Sequence, residues 1–332
     1  MFENKKILIT GGTGSLGQAL TERLLKNNVD TIRIFSRNEH KQIGMNAKFN
    51  DDRLRFFIGD IRDYDRLTRA LEDVDIVFHA AALKHVPVIE YNPFEAIKTN
   101  VLGSQNVINA CLHENVDRAI CVGTDKAVSP LNTYGATKLL MEKLFVTASN
   151  YLNSKKHKTK FIALRYGNVL GSSGSVIPLF INQIRSNKKI TITDYEMTRF
   201  SITMNEALDF ILESSTLGQG SEIFIPKLRA YTILDVKNAL FELLEKTNEE
   251  VIGIRSGEKL HELLINDDEL RSTYELDGKY VILNSNNATK VSEIYENIKK
   301  TELTSAYSSK NAEKISKDDL KKIIFDNKIL DN

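Results

Sequence analysis

The chain has no tryptophan, only two cysteines and five prolines in 332 residues, and a formal net charge of just +1. A balance of 45 Lys and Arg against 44 Asp and Glu excludes the broad basic field that nucleic acid or an acidic membrane surface demands. Any affinity for anions must come from local clusters. Two cysteines make no disulfide framework; Cys111 and Cys121 stand in apolar contexts and read as free buried thiols. No window approaches about 18 uninterrupted apolar residues, and the first strand begins near the N-terminus without an apolar leader. A cytoplasmic protein is expected, with no membrane and no nucleic-acid partner. Internal repeats, a Ser/His/Asp arrangement and metal-ligand spacing are also missing. His261 and Glu262 lack the second His of a zinc helix, so no metal is expected.

What is present is an alternation of short apolar runs with helical patterns. Residues 5–10 (KKILIT) form a strand that ends in GGTGSLG, after which Leu16, Ala19, Leu20 and Leu24 recur at helical spacing. Gly11, Gly14 and Gly17 sit where glycines let a backbone turn tightly and approach a pyrophosphate at a helix N-terminus. A strand over 31–35 (TIRIF) ends without the Asp or Glu that a NAD site offers to the adenosine ribose. Ser36, Arg37, Asn38 and Lys41 follow instead, which favours a 2′-phosphate and hence NADP; the plain alternative is that Arg37 is simply solvated.

Further strands are expected over 54–58, 74–79, 118–123 and 161–166, with a helix over 93–115. The predicted fold is α/β, a right-handed, doubly wound parallel sheet. Asp60 would end the third strand, within reach of an adenine. The fourth runs into AAALKHVP, whose alanines leave room for a flat cofactor, and Lys84 stands on the following loop as a donor for a phosphate or hydroxyl. His85 reads as structural or exposed. Glycines and serines in 167–178 (GNVLGSSGSVIP) imply a loop pressed against a ligand.

The fifth strand delivers Thr124, Asp125 and Lys126 to the same crevice, ahead of Tyr134 and Lys138. With a helix opening near Asn132, Tyr134 and Lys138 share one face. A phenol of pKa ~10 is a poor base at neutral pH, but a neighbouring ammonium favours its ionised form. The pair is therefore expected to take a proton from an alcohol while a cofactor takes hydride. Asp125 and Lys126 taken alone read equally as a strand-end ion pair.

Residues 1–170 are expected to form the cofactor domain, with some later segments interleaved, and 171–332 mainly a substrate region. The latter has strands near 189–192, 222–225 and 251–254, helices over 205–215 and 232–244, a polar, loop-rich 284–314, and a closing helix near 317–325. It carries Arg199, Arg255, Glu258 and Lys259. Arginines on crevice loops suit a diphosphate, although singly each reads as a surface salt bridge.

GGTGSLG, FSRNE, GDIRD, HAAALKHVP, GTDK, YGATK, RYGNV, MTRFS, IRSGEKLHE and AYSSKN together span residue 5 to about 325. On these motifs the chain resembles the extended short-chain dehydrogenase/reductase family with its Rossmann-like fold. Within it, the chain is similar to UDP-N-acetylglucosamine 4,6-dehydratases of the inverting, pseudaminic-acid type. Gly123 replaces a common Ser, and Ser256 a common Pro or Ala. Tyr134 is retained, whereas a related capsule-sugar class lacks it. The transmembrane portion of longer relatives is absent from the sequence, in keeping with a soluble enzyme.

The resemblance implies NADP bound by Gly11, Thr13, Gly14, Ser15, Leu16 and Gly17, by Ser36, Arg37, Asn38 and Lys41, by Asp60 and Ile61, and by Ala80, Ala81, Lys84, Tyr134 and Lys138. It implies a UDP-N-acetylhexosamine substrate held by Lys84, Asn168, Val176, Arg199, Arg255 and Glu258, and a homo-oligomer. The implied catalytic group is Thr124, Asp125, Lys126, Tyr134 and Lys138. Tyr134 would deprotonate the 4-hydroxyl as hydride leaves C4; Lys126, with its pKa lowered by burial, would act at C5; protonated Asp125 would serve the departing 6-hydroxyl. A 4-epimerase shares the tyrosine, lysine and cofactor but has no use for the Asp125–Lys126 pair. A non-catalytic NADP sensor dispenses with Tyr134 and Lys138 as well.

Overall fold

Six of the apolar runs become β1 (Lys6–Thr10), β2 (Thr31–Ser36), β3 (Leu54–Ile58), β4 (Ile76–His79), β5 (Arg118–Val122) and β6 (Lys160–Leu164). In the computed structural model, which describes residues 1–151, 156–172, 174–283 and 295–331, they pair in parallel in the order β3-β2-β1-β4-β5-β6. Successive strand residues face opposite sides, so each strand feeds two cores. Ile7 and Ile9 pack with Leu20 and Leu24 of α1 (Ser15–Leu25) and Met45 of α2 (Glu39–Phe49). Leu8 packs on the other side with Leu67 of α3 (Tyr64–Leu71) and, beyond α4 (Val86–Tyr91) and α5 (Pro93–Ala96), with Val107 of α6 (Gly103–His113) and Met141 of α7 (Thr133–Ala148). This is the doubly wound α/β arrangement expected.

The single helix expected over 93–115 is interrupted. A π-helical segment, Ile97–Leu102, lies between α5 and α6 and turns Asn100 into the interior. Its Oδ1 accepts from the Leu83 N–H (2.8 Å), while its Nδ2 donates to the Leu83 carbonyl and the Thr137 hydroxyl (both 3.0 Å). One buried amide thus fastens the loop after β4 to α7, a common role for a π-bulge near a working site.

The second half supplies β7 (Asn168–Val169), β8 (Ile190–Ile192), β9 (Thr198–Ile202), β10 (Ile223–Pro226), β11 (Ala230–Thr232), β12 (Glu249–Val251), β13 (Leu263–Ile265), β14 (Thr273–Leu276), β15 (Lys279–Ile282), β16 (Lys299–Lys300) and β17 (Tyr307–Ser308). β10 joins β6 in parallel, and β15, β14 and β16 extend the sheet antiparallel, to ten strands among the described residues. Residues 167–178 are not all loop: β7 pairs with β9, and α8 (Val176–Arg185) starts within them. Downstream of α9 (Met204–Leu217), α10 (Ile233–Leu243) packs with α8 and the Lys317–Asp326 helix around Phe180, Val236, Leu240, Leu320 and Ile324, a third core. Part of the polar stretch read as loop, 284–294, lies outside the described residues. Cys111 and Cys121 are buried and free, and burial pushes the Cys121 thiol up to about 12. No helix among the described residues is long and apolar enough to cross a membrane.

Candidate active site

A cleft of about 1200 Å³ opens at the carboxyl ends of the parallel strands, where open α/β sheets bind ligands. Every site residue inferred from the sequence lines it except Asp125, which is fully buried behind Lys126. Gly11 has φ +67°, and a Cβ there would come within 2.9 Å of the Ala81 backbone, so the turn lies directly on Ala80–Ala81. Gly14 precedes α1 without any side-chain cap, which leaves the first-turn N–H groups to an incoming anion. This cradle fits the pyrophosphate of a dinucleotide.

At the end of β2 the side chains are partly committed. The Ser36 hydroxyl accepts from Gln42 Nε2 (3.0 Å), and Asn38 caps α2 by accepting from the Lys41 N–H (2.9 Å). Arg37 is exposed, 3.8 Å from the Asp60 carboxylate. Burial alone would raise the Asp60 carboxyl, but the Arg62 side chain, 2.6 Å away, outweighs it and holds it below its ordinary value. Asp60 therefore serves two arginines at the cleft edge.

After β5, Thr124 caps a 3₁₀ turn, Asp125–Ala127, and Asn132 caps α7 by accepting from the Gly135 N–H. A Cβ on Gly135 would collide with the Lys126 carbonyl oxygen, so only glycine lets α7 sit this close to the turn. Tyr134 and Lys138 are both buried on α7. Lys138 does not act on the phenol as expected. Its Nζ donates to the Val122 carbonyl (2.8 Å), lies 3.3 Å from Met141 Sδ, and is pulled below its ordinary pKa by burial. Burial likewise pushes Tyr134 up, and the opposing pull of Lys126 and the Thr124 hydroxyl does not reverse it. Burial thus outweighs the ammonium that stands near it, and the phenol is held above its ordinary value.

The second correction concerns Lys126. Burial does act to lower its pKa, but the Asp125 and Glu262 carboxylates outweigh burial, and the amine is held above its ordinary value. Its Nζ donates to Asp125 Oδ1 (3.0 Å) and Asn168 Oδ1 (2.9 Å) and stands 3.6 Å from Glu262 Oε1. Asp125 moves as expected: burial pushes its carboxyl up despite Lys126 and a hydrogen bond from the Thr124 hydroxyl (3.0 Å).

Asn168 comes from β7 and Val176 opens α8. Arg199 is not on a loop: it lies buried in β9, donating to the Thr198 (2.8 Å) and Leu260 (3.2 Å) carbonyls. Arg255 and Glu258 sit at the rim, their side chains 3.9 Å apart. Sequence reasoning missed Glu262 as a site residue, reading it only as half of a failed zinc motif. Its nearest partners come from the 125–127 turn and β9, and only Lys259 stands close to it in the sequence. It also missed Asn132, whose position just ahead of a helical run containing Tyr134 is a readable capping signal.

The model of the polysaccharide biosynthesis protein family matches residues 7–284. The UDP-N-acetylglucosamine 4,6-dehydratase (inverting) of Campylobacter jejuni is 50% identical over 284 residues, covering 85% of this chain and 84% of that protein. A UDP-glucose 4-epimerase of Rickettsia bellii is 41% identical over 98% of this chain and 96% of its own length. Among solved structures, Pen from Bacillus thuringiensis superposes with a TM-score of 0.91 at 38% identity, covering 99% of each chain. The chain belongs to the polysaccharide biosynthesis protein family.

Proposed function

We propose that the protein is an NADP-dependent UDP-N-acetylglucosamine 4,6-dehydratase that inverts C5, yielding UDP-2-acetamido-2,6-dideoxy-beta-L-arabino-hex-4-ulose. The observation that carries this reading is the buried Asp125–Lys126 pair beside Tyr134, in a chain half identical to the Campylobacter dehydratase. Bound in the cleft, NADP would accept a hydride from C4 and return it to C6. Tyr134 takes the 4-hydroxyl proton. Its pKa is raised by burial, so this step depends on bound cofactor and substrate to stabilise the phenolate. Lys138, anchored on the Val122 carbonyl, lines the cleft on the cofactor side.

Asp125 supplies the proton for the departing 6-hydroxyl. Because it does not line the cleft, the proton passes by way of the Thr124 hydroxyl, which donates to Asp125 Oδ1 at rest and must turn to accept the carboxyl proton as it gives its own to the leaving oxygen. Lys126 acts at C5, and since the resting chain holds it as an ammonium, that step gains speed as rising pH empties the amine. Arg199 deep in the cleft and Arg255 at its rim, with Lys84, Asn168, Val176 and Glu258, hold the nucleotide sugar. Arg37 and Ser36 receive the 2′-phosphate. The enzyme is a cytoplasmic homo-oligomer that opens a pathway to pseudaminic acid or a related surface-glycan sugar, with residues 1–170 binding mainly cofactor and 171–332 mainly substrate.

The Rickettsia relatives favour a second reading, a 4-epimerase. It uses Tyr134 and Lys138 equally but leaves the acid and base behind Thr124 without work. Mass spectrometry after incubation with UDP-N-acetylglucosamine separates the two: a dehydratase product is lighter by one water, an epimer has the mass of the substrate.

A further inference from the structure

Glu262 is 3% exposed, and nothing in the proposed reaction uses it. It enters the site just ahead of β13, clamped at its backbone: its N–H donates to the Ser309 hydroxyl and its carbonyl accepts from the Ser309 N–H (both 2.9 Å). Its Oε1 lies 3.6 Å from Lys126 Nζ and 3.9 Å from Arg199 Nε, and its Oε2 lies 4.0 Å from Lys259 Nζ. Asp125, on the other side of Lys126, has that one ammonium and the Thr124 hydroxyl. Asp125 Oδ2 and Glu262 Oε2 are both buried without a hydrogen-bond partner among the described residues.

Two buried carboxylates therefore flank one ammonium that itself lines the cleft. Lys126 cannot serve as full counter-charge to both at once, and an ionised carboxylate left with only a shared cation is costly to bury, so the carboxylate with fewer other cations is driven to hold a proton. Three cations converge on Glu262 and only one on Asp125, which decides which. Resting on the dehydratase reading above, we propose that Glu262 is the charge partner of Lys126, and through that contact the positioning residue that leaves Asp125 carrying the proton destined for O6. The electrostatics agree: burial raises Asp125 and the Glu262 charge adds to this, whereas for Glu262 the pull of Lys126, Arg199 and Lys259 overcomes burial. Such an opposed pair is the pattern of an acid and its ionised neighbour.

The groups facing this pair are Lys126 in the 125–127 turn, Tyr134 in α7, Arg199 in β9, Tyr231 in β11, and Lys259 and His261 in its own segment. The Glu262 charge raises Lys126, Asp125 and, as the smallest of the influences on that phenol, Tyr134; of these, Lys126 and Asp125 act in the elimination itself. Without the Glu262 charge the Lys126 ammonium is less favoured, so its pKa falls. Asp125 must then ionise to balance it, so its pKa falls as well.

The test is the pH profile of water elimination in Glu262→Gln, an isosteric change that removes only the charge. The expected result is that both limbs move to lower pH, while mixing with substrate still produces the reduced nicotinamide absorbance. A uniformly weaker profile with unmoved limbs is a merely structural effect and overturns the proposal. A measurement independent of turnover covers a variant that does not fold and a wild type that acts on another sugar. In infrared spectra of the intact chain at neutral pH, Asp125→Asn must remove one buried protonated-carboxyl band, distinct from any of Glu222, which burial also pushes up and which Glu222→Gln identifies. If that band persists, the proton resides elsewhere and the proposal fails.

Discussion

The Asn132 side chain donates to the Gly257 carbonyl at 2.8 Å, so the residue that starts α7 also holds the rim loop carrying Arg255 and Glu258. Its oxygen caps the helix while its nitrogen ties the two halves of the site. Asn132→Ala is expected to lower stability by about 1 kcal/mol, the usual cost of a lost N-cap, and to raise KM for the nucleotide sugar. Asn132→Asp keeps the cap and loses the donor, so it should raise KM with stability nearly retained. Urea unfolding and initial-rate kinetics on both variants check this; a wild-type KM in both would contradict it.

Lys126→Ala is expected to bind NADP as the wild type does while losing both water release and solvent exchange at C5. The loss should be at least about a hundredfold, within the range of a positioned acid or base. Calorimetry for the cofactor and NMR for the sugar read the two properties separately. Unchanged turnover would remove Lys126 from the mechanism.

The glycine turn and the Tyr134–Lys138 spacing are legible in the sequence because each rests on geometry within a few residues. The same holds for the six parallel strands, whose apolar runs are bounded by turns. The charge state of Lys126 is not legible, because half of its counter-charge arrives with Glu262 from far along the chain. Arg199 illustrates the same limit: a short polar-flanked run reads as loop until its pairing with β11 is seen. Tyr134 fails for another reason, since spacing reveals its neighbours but not the depth of burial that raises its pKa.

Arg165 is fully buried and bridges Glu142 of α7 (2.6 Å) to Glu269 (2.9 Å), with a further bond to the Leu264 carbonyl (2.8 Å). Arg165→Met leaves Glu142 buried without its cation, and breaking such a pair costs about 3–5 kcal/mol. Arg165→Met with Glu142→Leu should recover much of that loss. Urea midpoints of the single and double variants test it, and equal destabilisation in both would count against the account.

His79 sits between the Thr10 (2.8 Å) and Ser104 (2.9 Å) hydroxyls, and burial, aided by Lys138, depresses its pKa from 6.5 to about 3. Below 6.5 the unfolded chain binds a proton that the folded one refuses, so stability falls as pH drops until about 3 is reached. Within that window each pH unit costs about 1.4 kcal/mol from this group. His79→Gln should flatten that slope. An unchanged slope in urea titrations across the window would show that His79 charges freely in the fold.

The most direct test of the central claim is incubation of the purified protein with UDP-N-acetylglucosamine in deuterated water, with the sugar followed by NMR. The predicted product is a 4-keto-6-deoxy sugar nucleotide with inverted configuration and deuterium at C5. Recovery of the C4 epimer alone, with the 6-hydroxyl intact and no deuterium at C5, would contradict it.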